Sequence, residues 1–495
     1  MTSEPTLSER ESQFVRAPKW LILLISLAMI VPCLWHRRIE AGDLGSHVYN
    51  AWLAQLIEKG QAPGLYIVRQ SNNVLFDWLL LDTANIAGFA AAEKIAVSLC
   101  VLIFFWGVFS LVAAASGQPP WFLAPAIAML AYGYAFNMGF LNYYLSLGLA
   151  SFSLALLWRG RGLQRLFGLL LIPFILLAHP IGLLWLFGAA LYFALWTKLS
   201  GWWKVAPPAV AVLFLFAIRL YLLHQTRFPV DWEHDPFYLM TGADQLTLYG
   251  QRYAVLAWVA VAFGALCLLV DVILRRRDVS FWQSLRLPAE LYFIAVLAVA
   301  LMPENLRPSI TGAWIGLLAS RLTAISAIFG LCLMAFLKPR KWHLVGFSAC
   351  AIVFFAFLYQ DTLVLNRMES NVEALVNHLP FGARVIATIW AQPGSRISFI
   401  GHIADRACIG HCFSFANYEA SSGQFRIRAK PGNPVVSASD DDTEDMQAGE
   451  YDVEDEDLPL KQIYQCDEKD LTKLCIRDLA AGEKNGRLGY KPPAN

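Results

Sequence analysis

The sequence predicts an all-α polytopic membrane domain of about eleven transmembrane helices over residues 1–360. A small α/β domain on the outer side of the membrane follows over residues 361–495. Three observations carry this prediction. The chain is 57% hydrophobic and 16% charged over 495 residues, with a mean hydropathy of +0.48, whereas soluble domains carry about 25% charged residues. Basic clusters recur in phase between the apolar segments. The pattern then changes character after Gln360. The net charge of +1 by itself says nothing about nucleic acid; the information lies in where the charges fall, and no nucleic-acid partner is expected. The 17 Trp and 32 Phe fit aromatic belts at membrane interfaces.

The apolar segments lie near 19–36, 92–115, 120–137, 139–158, 164–179, 181–197, 204–223, 253–274, 288–303, 313–337 and 343–360. Each is long enough, or nearly so, to cross ~30 Å of hydrocarbon. The first has no small-residue cleavage site after Trp35 and reads as a retained span. Arg159, Arg161 and Arg165 share a loop; Lys198 and Lys204, then Arg275–Arg277, then Lys338, Arg340 and Lys341 follow in phase with it. With the N-terminus cytoplasmic, all four clusters face the cytoplasm, as the positive-inside rule requires. The same phase places 37–91, 224–252, 304–312 and the tail outside the plasma membrane.

The outer loop 37–91 is more than a connector. Leu44, Val48, Trp52 and Leu56 recur every fourth residue and are followed by Gly60 and Ala62-Pro63-Gly64, which predicts an amphipathic helix lying in the interface. Asp43, His47 and Asn50 share its other face. The run from Val74 to Leu81, interrupted by Asp77, predicts a second interfacial or re-entrant piece. Arg37 and Arg38 read as headgroup contacts. In the tail, 369–378 predicts a helix, and 383–390, 413–415 and 424–428 predict strands. Residues 440–457 are dominated by Asp and Glu and predict a disordered loop. Five cysteines fall in apolar spans, while Cys408, Cys412, Cys466 and Cys475 fall in the tail. Two disulfides in an oxidising compartment are the expectation, with 408–412 and 466–475 the pairing of shortest loops. Zinc on Cys408, His411 and Cys412 with a later cysteine is the competing reading.

An acidic residue after the first span, two helices in the first outer loop and an outward C-terminal domain resemble the membrane glycosyltransferases of the GT-C fold. These include protein mannosyltransferases, oligosaccharyltransferases and bacterial aminoarabinose transferases. The adjacent Asp-Glu pair of the first group and the Trp-Trp-Asp motif of the second are absent, so the acceptor does not carry over. The resemblance implies a polyprenyl-phosphate-linked sugar as donor, membrane lipid as surroundings, and a divalent metal as a possible cofactor. It implies a catalytic carboxylate at Asp43, with Glu40 second, and His47 and Asn50 orienting it or the acceptor. A cation should meet the leaving phosphate. Arg321 is the first candidate, Arg307 and Arg69 are weaker ones, and His179 is a cavity-lining residue. The plain alternatives are a helix N-cap for Asp43, a polar-face role for His47 and an Arg321 that reaches to the interface. At the level of function the rivals are a polysaccharide polymerase or ligase using a polyprenyl diphosphate, a transporter, and a non-enzymatic scaffold.

Overall fold

Long apolar runs satisfy their backbone hydrogen bonds internally only as helices, and that is what they form here. The computed structural model describes residues 18–308, 315–390, 394–397, 402–467 and 469–486. The chain is mostly helical. Among the described residues seven helices are long and apolar enough to cross a membrane: Phe89–Ser116, Leu141–Arg159, Pro180–Lys198, Gly201–His224, Gln251–Leu274, Val279–Leu301 and Lys341–Val376. Lys19–Leu34, Leu163–Ala178 and Leu318–Met334 are apolar but shorter. The expected segment 120–137 is broken into Trp121–Leu123, Ala124–Ala131 and Tyr134–Asn137. The last long helix continues through the expected tail helix, so 343–360 and 369–376 are one piece.

The chain divides into two compact units. One comprises the described parts of 1–31, 98–135 and 143–356. Its helices pack through small residues, which let backbones approach closely. A Cβ on Gly107 would lie 2.2 Å from the Gly148 carbonyl oxygen, and one on Gly182 would lie 2.4 Å from Ser146 Oγ. Phe104 and Tyr144 stack at 4.3 Å beside the first of these approaches.

The other unit joins residues 32–97 and 136–142 to the described residues of 357–495. Its four-stranded sheet runs in the order Cys412–Ser414, Ala383–Thr388, Leu460–Gln465, Leu474–Asp478. The first three strands are mutually parallel and the last pairs antiparallel. Leu65–Ile67 of the first loop pairs antiparallel with Ile427–Ala429 of the tail, so loop and tail fold as one body.

Two expectations are corrected within this unit. The helix predicted to lie in the interface spans Leu44–Glu58, and 12 of its 15 residues are buried. Its polar face is covered as well as its apolar face, because Ser46, His47 and Asn50 each find a polar partner from the tail or the next helix. The acidic stretch 440–457 is ordered. Asp440–Ala448 forms a helix capped by Ser439, whose side chain accepts from the Asp442 N–H. Glu454 and Asp457 make a capping box around a short turn. Met446, Tyr451 and Val453 anchor the stretch in a core with Ile386, Phe415 and Leu460. Apolar burial holds it while the carboxylates face outward or cap helix ends.

Candidate functional site

Two clusters of charge build up around the Leu44–Glu58 helix, both from residues of the loop-and-tail unit. Gly42, Gly45 and Gly139 make the approach possible. Gly139 has φ +77, and a Cβ there would lie 2.3 Å from the Asp43 nitrogen. A Cβ on Gly45 would lie 2.9 Å from the His402 carbonyl oxygen. Gly45 thus admits the tail segment carrying His402 to the start of the helix. The Cys408–Cys412 disulfide ties the Ile403–Ala407 helix to the Cys412–Ser414 strand. Cys466 pairs with Cys475. Disulfide bonding removes Cys408 and Cys412 from the zinc reading.

The first cluster centres on Arg406, and all five of its guanidinium hydrogens are used. Nε donates to Glu369 at 2.7 Å, Nη1 to Glu93 at 2.8 Å and to the Ile39 carbonyl at 3.0 Å. Nη2 donates to Glu40 at 3.2 Å and again to Glu369. Glu40, the second catalytic candidate, is sealed here with none of its side chain exposed. Burial and the neighbouring Glu369 push its carboxyl well above the usual range, against the pull of Arg406. No donor is aimed at its Oε1, which fits a carboxyl kept in its neutral form. Arg37 and Arg38 pair with Glu373 in the same region, and Arg38 also with Glu369, so both serve carboxylates within the protein.

The second cluster opens to a cleft. His47 Nδ1 meets Asp77 Oδ1 at 2.8 Å, and Asn142 donates to Asp77 Oδ2 at 2.8 Å. Ser46 donates to Glu419 at 3.1 Å, and Asn50 and Asn417 exchange amide hydrogen bonds. Asp43 starts the helix, but its side chain makes no capping bond. The carboxylate turns instead to His402, with Oδ1 3.6 Å from Nε2, and a quarter of the side chain is exposed. His402 Nδ1 meets Asp405 Oδ2 at 3.1 Å, and Asp405 Oδ1 accepts from Ser414. A second carboxylate thereby fixes the ring facing Asp43. The neighbouring cleft, lined by His47, Asn50, Asp77, Glu419 and Arg426 among others, is tight, with room for little more than one water molecule.

The charges here are strongly coupled. Burial disfavours the His47 cation, but Asp77, with Glu419 and Asp43 behind it, overrides burial and raises the imidazole to about 9. Burial likewise works against Asp77, yet His47, Asn142 and Arg426 hold its carboxyl below the usual range. Burial, with Asp77 and Asp43, pushes Glu419 up to about 7, against the opposing pull of His47 and the Ser46 hydroxyl. His402 is raised too, since Asp405, Asp43 and Glu419 outweigh its burial. The arrangement offers an accessible carboxylate backed by an imidazolium and a second carboxyl poised near neutrality. This is the equipment of proton transfer.

Of the residues singled out in the sequence, Asp43, His47 and Asn50 come together here, whereas Glu40 belongs to the Arg406 cluster. Arg69 is exposed just beyond the Leu65–Ile67 strand. His179, Arg307 and Arg321 belong to the other unit. Within it the Tyr143 hydroxyl donates to the Arg321 carbonyl at 2.5 Å, and the His179 ring meets the Tyr143 ring edge-on at 5.4 Å. His179 also caps the Pro180–Lys198 helix by accepting from the Ile181 N–H. Arg307 is exposed in a loop. Among the described residues no group of three or more His, Cys, Asp or Glu could hold a metal ion. Sequence reasoning missed His402, Asp405, Arg406 and Glu419. Asp77 alone left a signal, as a charge inside an apolar run. The chain matches no protein-family model and no curated protein.

Proposed function

We propose that the chain is an integral-membrane glycosyltransferase that moves a sugar from a polyprenyl phosphate to an acceptor on the outer face of the plasma membrane. The observation that supports it best is Asp43: a partly exposed carboxylate just after the first apolar helix, 3.6 Å from the His402 imidazole that Asp405 orients. In this reading the three shorter helices and the broken 120–137 segment also cross. That makes about eleven crossings, with the N-terminus cytoplasmic and the tail extracytoplasmic.

The chemistry follows from charge flow. A lone pair on the acceptor oxygen or nitrogen forms a bond to the anomeric carbon. The bond from that carbon to the phosphate oxygen breaks, and its electron pair leaves on the polyprenyl phosphate. The acceptor's proton goes to Asp43. His47 and Asn50 orient the acceptor, and Asp77 holds His47. Arg321 is the proposed contact for the leaving phosphate, with Arg307 and Arg69 behind it. Its case rests on a guanidinium within an apolar helix, a costly placement that function commonly explains.

Purified protein should transfer label from radiolabelled polyprenyl-phosphate mannose or aminoarabinose, and Asp43→Asn should lose about 10²-fold of that rate. Absence of transfer from either donor, with the protein folded, would turn the reading toward a transporter or scaffold. Reporter fusions after Arg277 and after Gln360 should mark opposite sides of the membrane; a shared side would overturn the topology.

A further inference from the structure

The helical unit contains a second cavity, far more apolar than the cleft beside Asp43. It lies among the Leu141–Arg159, Leu163–Leu170, Pro180–Lys198 and Val279–Leu301 helices and offers about 340 Å³ of room. Leu154, Trp158, Phe193 and Leu291 contribute to its walls. On the Pro180–Lys198 helix the lining includes Ala190 and Ala194, whose short side chains leave the space open. Two cations, Arg165 and Lys198, also line it. Both are exposed, and among the described residues neither makes an ion pair. A long apolar trough edged by unpaired cations has the chemistry of an anionic amphiphile.

The surroundings fix the depth. Lys204 sits over the Trp196 ring at 3.8 Å, and Trp202 and Trp203 stack at 3.8 Å with most of their surface exposed. Trp beside Lys is the pattern of the membrane–water interface. Leu163 and Phe167, on the short helix carrying Arg165, are exposed as well. A headgroup at this level would therefore meet Arg165 and Lys198 while its acyl chain descends along Trp158 and Phe193.

We propose that this groove binds an anionic membrane phospholipid, one acyl chain in the apolar trough and the phosphate on Arg165 and Lys198. Basic pockets between spanning helices recognise lipid headgroups in this way. The site shares no residue with the Asp43 cluster, and its test requires no transfer activity.

The test is lipid retention by the detergent-purified full chain, read by native mass spectrometry with dioleoylphosphatidylglycerol against dioleoylphosphatidylcholine. The wild type should favour phosphatidylglycerol by about tenfold or more, as expected for two cations at a headgroup. The double variant Arg165→Gln, Lys198→Gln changes only exposed side chains and should abolish the preference. Ala190→Phe, which fills the trough and keeps both cations, should lower retention of phosphatidylglycerol by a similar factor. Equal retention of the two lipids by the wild type, or a preference that survives the double variant, overturns the proposal. Unchanged retention in folded Ala190→Phe overturns the placement of the acyl chain.

Discussion

Glu40 and Asp43 lie three residues apart in sequence and have opposite surroundings. Glu40 is sealed against Arg406, Glu93 and Glu369 with no exposed side-chain surface. Asp43 keeps a quarter of its side chain exposed and faces an imidazole. One cluster is closed and saturated, with every guanidinium hydrogen placed. The other is open and unbalanced, with Asp43, Asp77, Asp405 and Glu419 set around two histidines. The first arrangement ties loop and tail together; the second leaves a carboxylate accessible, as the proposed transfer requires.

The largest effect should come from breaking the closed cluster. Arg406→Met would leave Glu40, Glu93 and Glu369 buried without their common partner. Removing one member of a buried ionic network costs about 3–5 kcal/mol. The purified variant should melt well below the wild type and be cut rapidly by protease between Pro32 and Val97 or in the tail. Wild-type resistance would mean that the Arg406 network is not what holds loop and tail together.

The open cluster should announce itself through pH. The His47 imidazole is raised from 6.5 to about 9. Its contribution is therefore fully present below about pH 6.5 and is lost as pH rises through about 9. At about 1.4 kcal/mol per unit the loss is on the order of 3 kcal/mol. Asp77 is lowered below 3.8, so its share is present above that value and is lost as pH falls further. Glu419, raised from 4.5 to about 7, has the same sign as His47. Stability should thus decline from about pH 4.5, where Glu419 begins to lose its share, to about pH 9, with the His47 part falling between about 6.5 and 9; His47→Gln should flatten that upper part while lowering stability at pH 6. A melting temperature that His47→Gln leaves equally pH-dependent would remove the ion pair from the account.

How much of this was legible in the chain depends on reach. The Leu44–Glu58 helix was readable because its apolar residues recur at the helical period, and the nearby cysteine pairs because short loops close readily. The tail strands at 383–388 and 412–414 were readable from apolar runs between turns. The partners of the helix were not. Glu419 lies 373 positions from Ser46, and Arg406 lies 366 from Glu40. No local pattern encodes such a meeting. The burial of the helix's polar face was hidden for that reason: a polar face looks solvent-exposed until its distant partners are known. The acidic stretch 440–457 misled differently. Its charge density outweighed Met446, Tyr451 and Val453, three anchors that suffice when a core is waiting for them.

The sharpest comparison pairs two conservative substitutions that each turn a carboxyl into an amide. Asp43→Asn removes a charge and a base from an accessible position and disturbs no capping bond, since the Asp43 side chain makes none. Melting temperature should hold while transfer falls about 10²-fold, or ~2.7 kcal/mol in the barrier. Glu40→Gln should do almost nothing. Burial and Glu369 already favour the neutral form of Glu40, and glutamine reproduces its shape, its acceptor toward Arg406 and a donor toward Glu369. Its stability should stay within about 1 kcal/mol of wild type, the scale of one hydrogen bond, with transfer unchanged. The two variants should therefore separate cleanly when thermal unfolding and turnover of the radiolabelled donor are measured on the same preparations. If Glu40→Gln abolishes transfer in a folded protein while Asp43→Asn spares it, the catalytic carboxylate is the sealed one, and the open cluster serves binding alone.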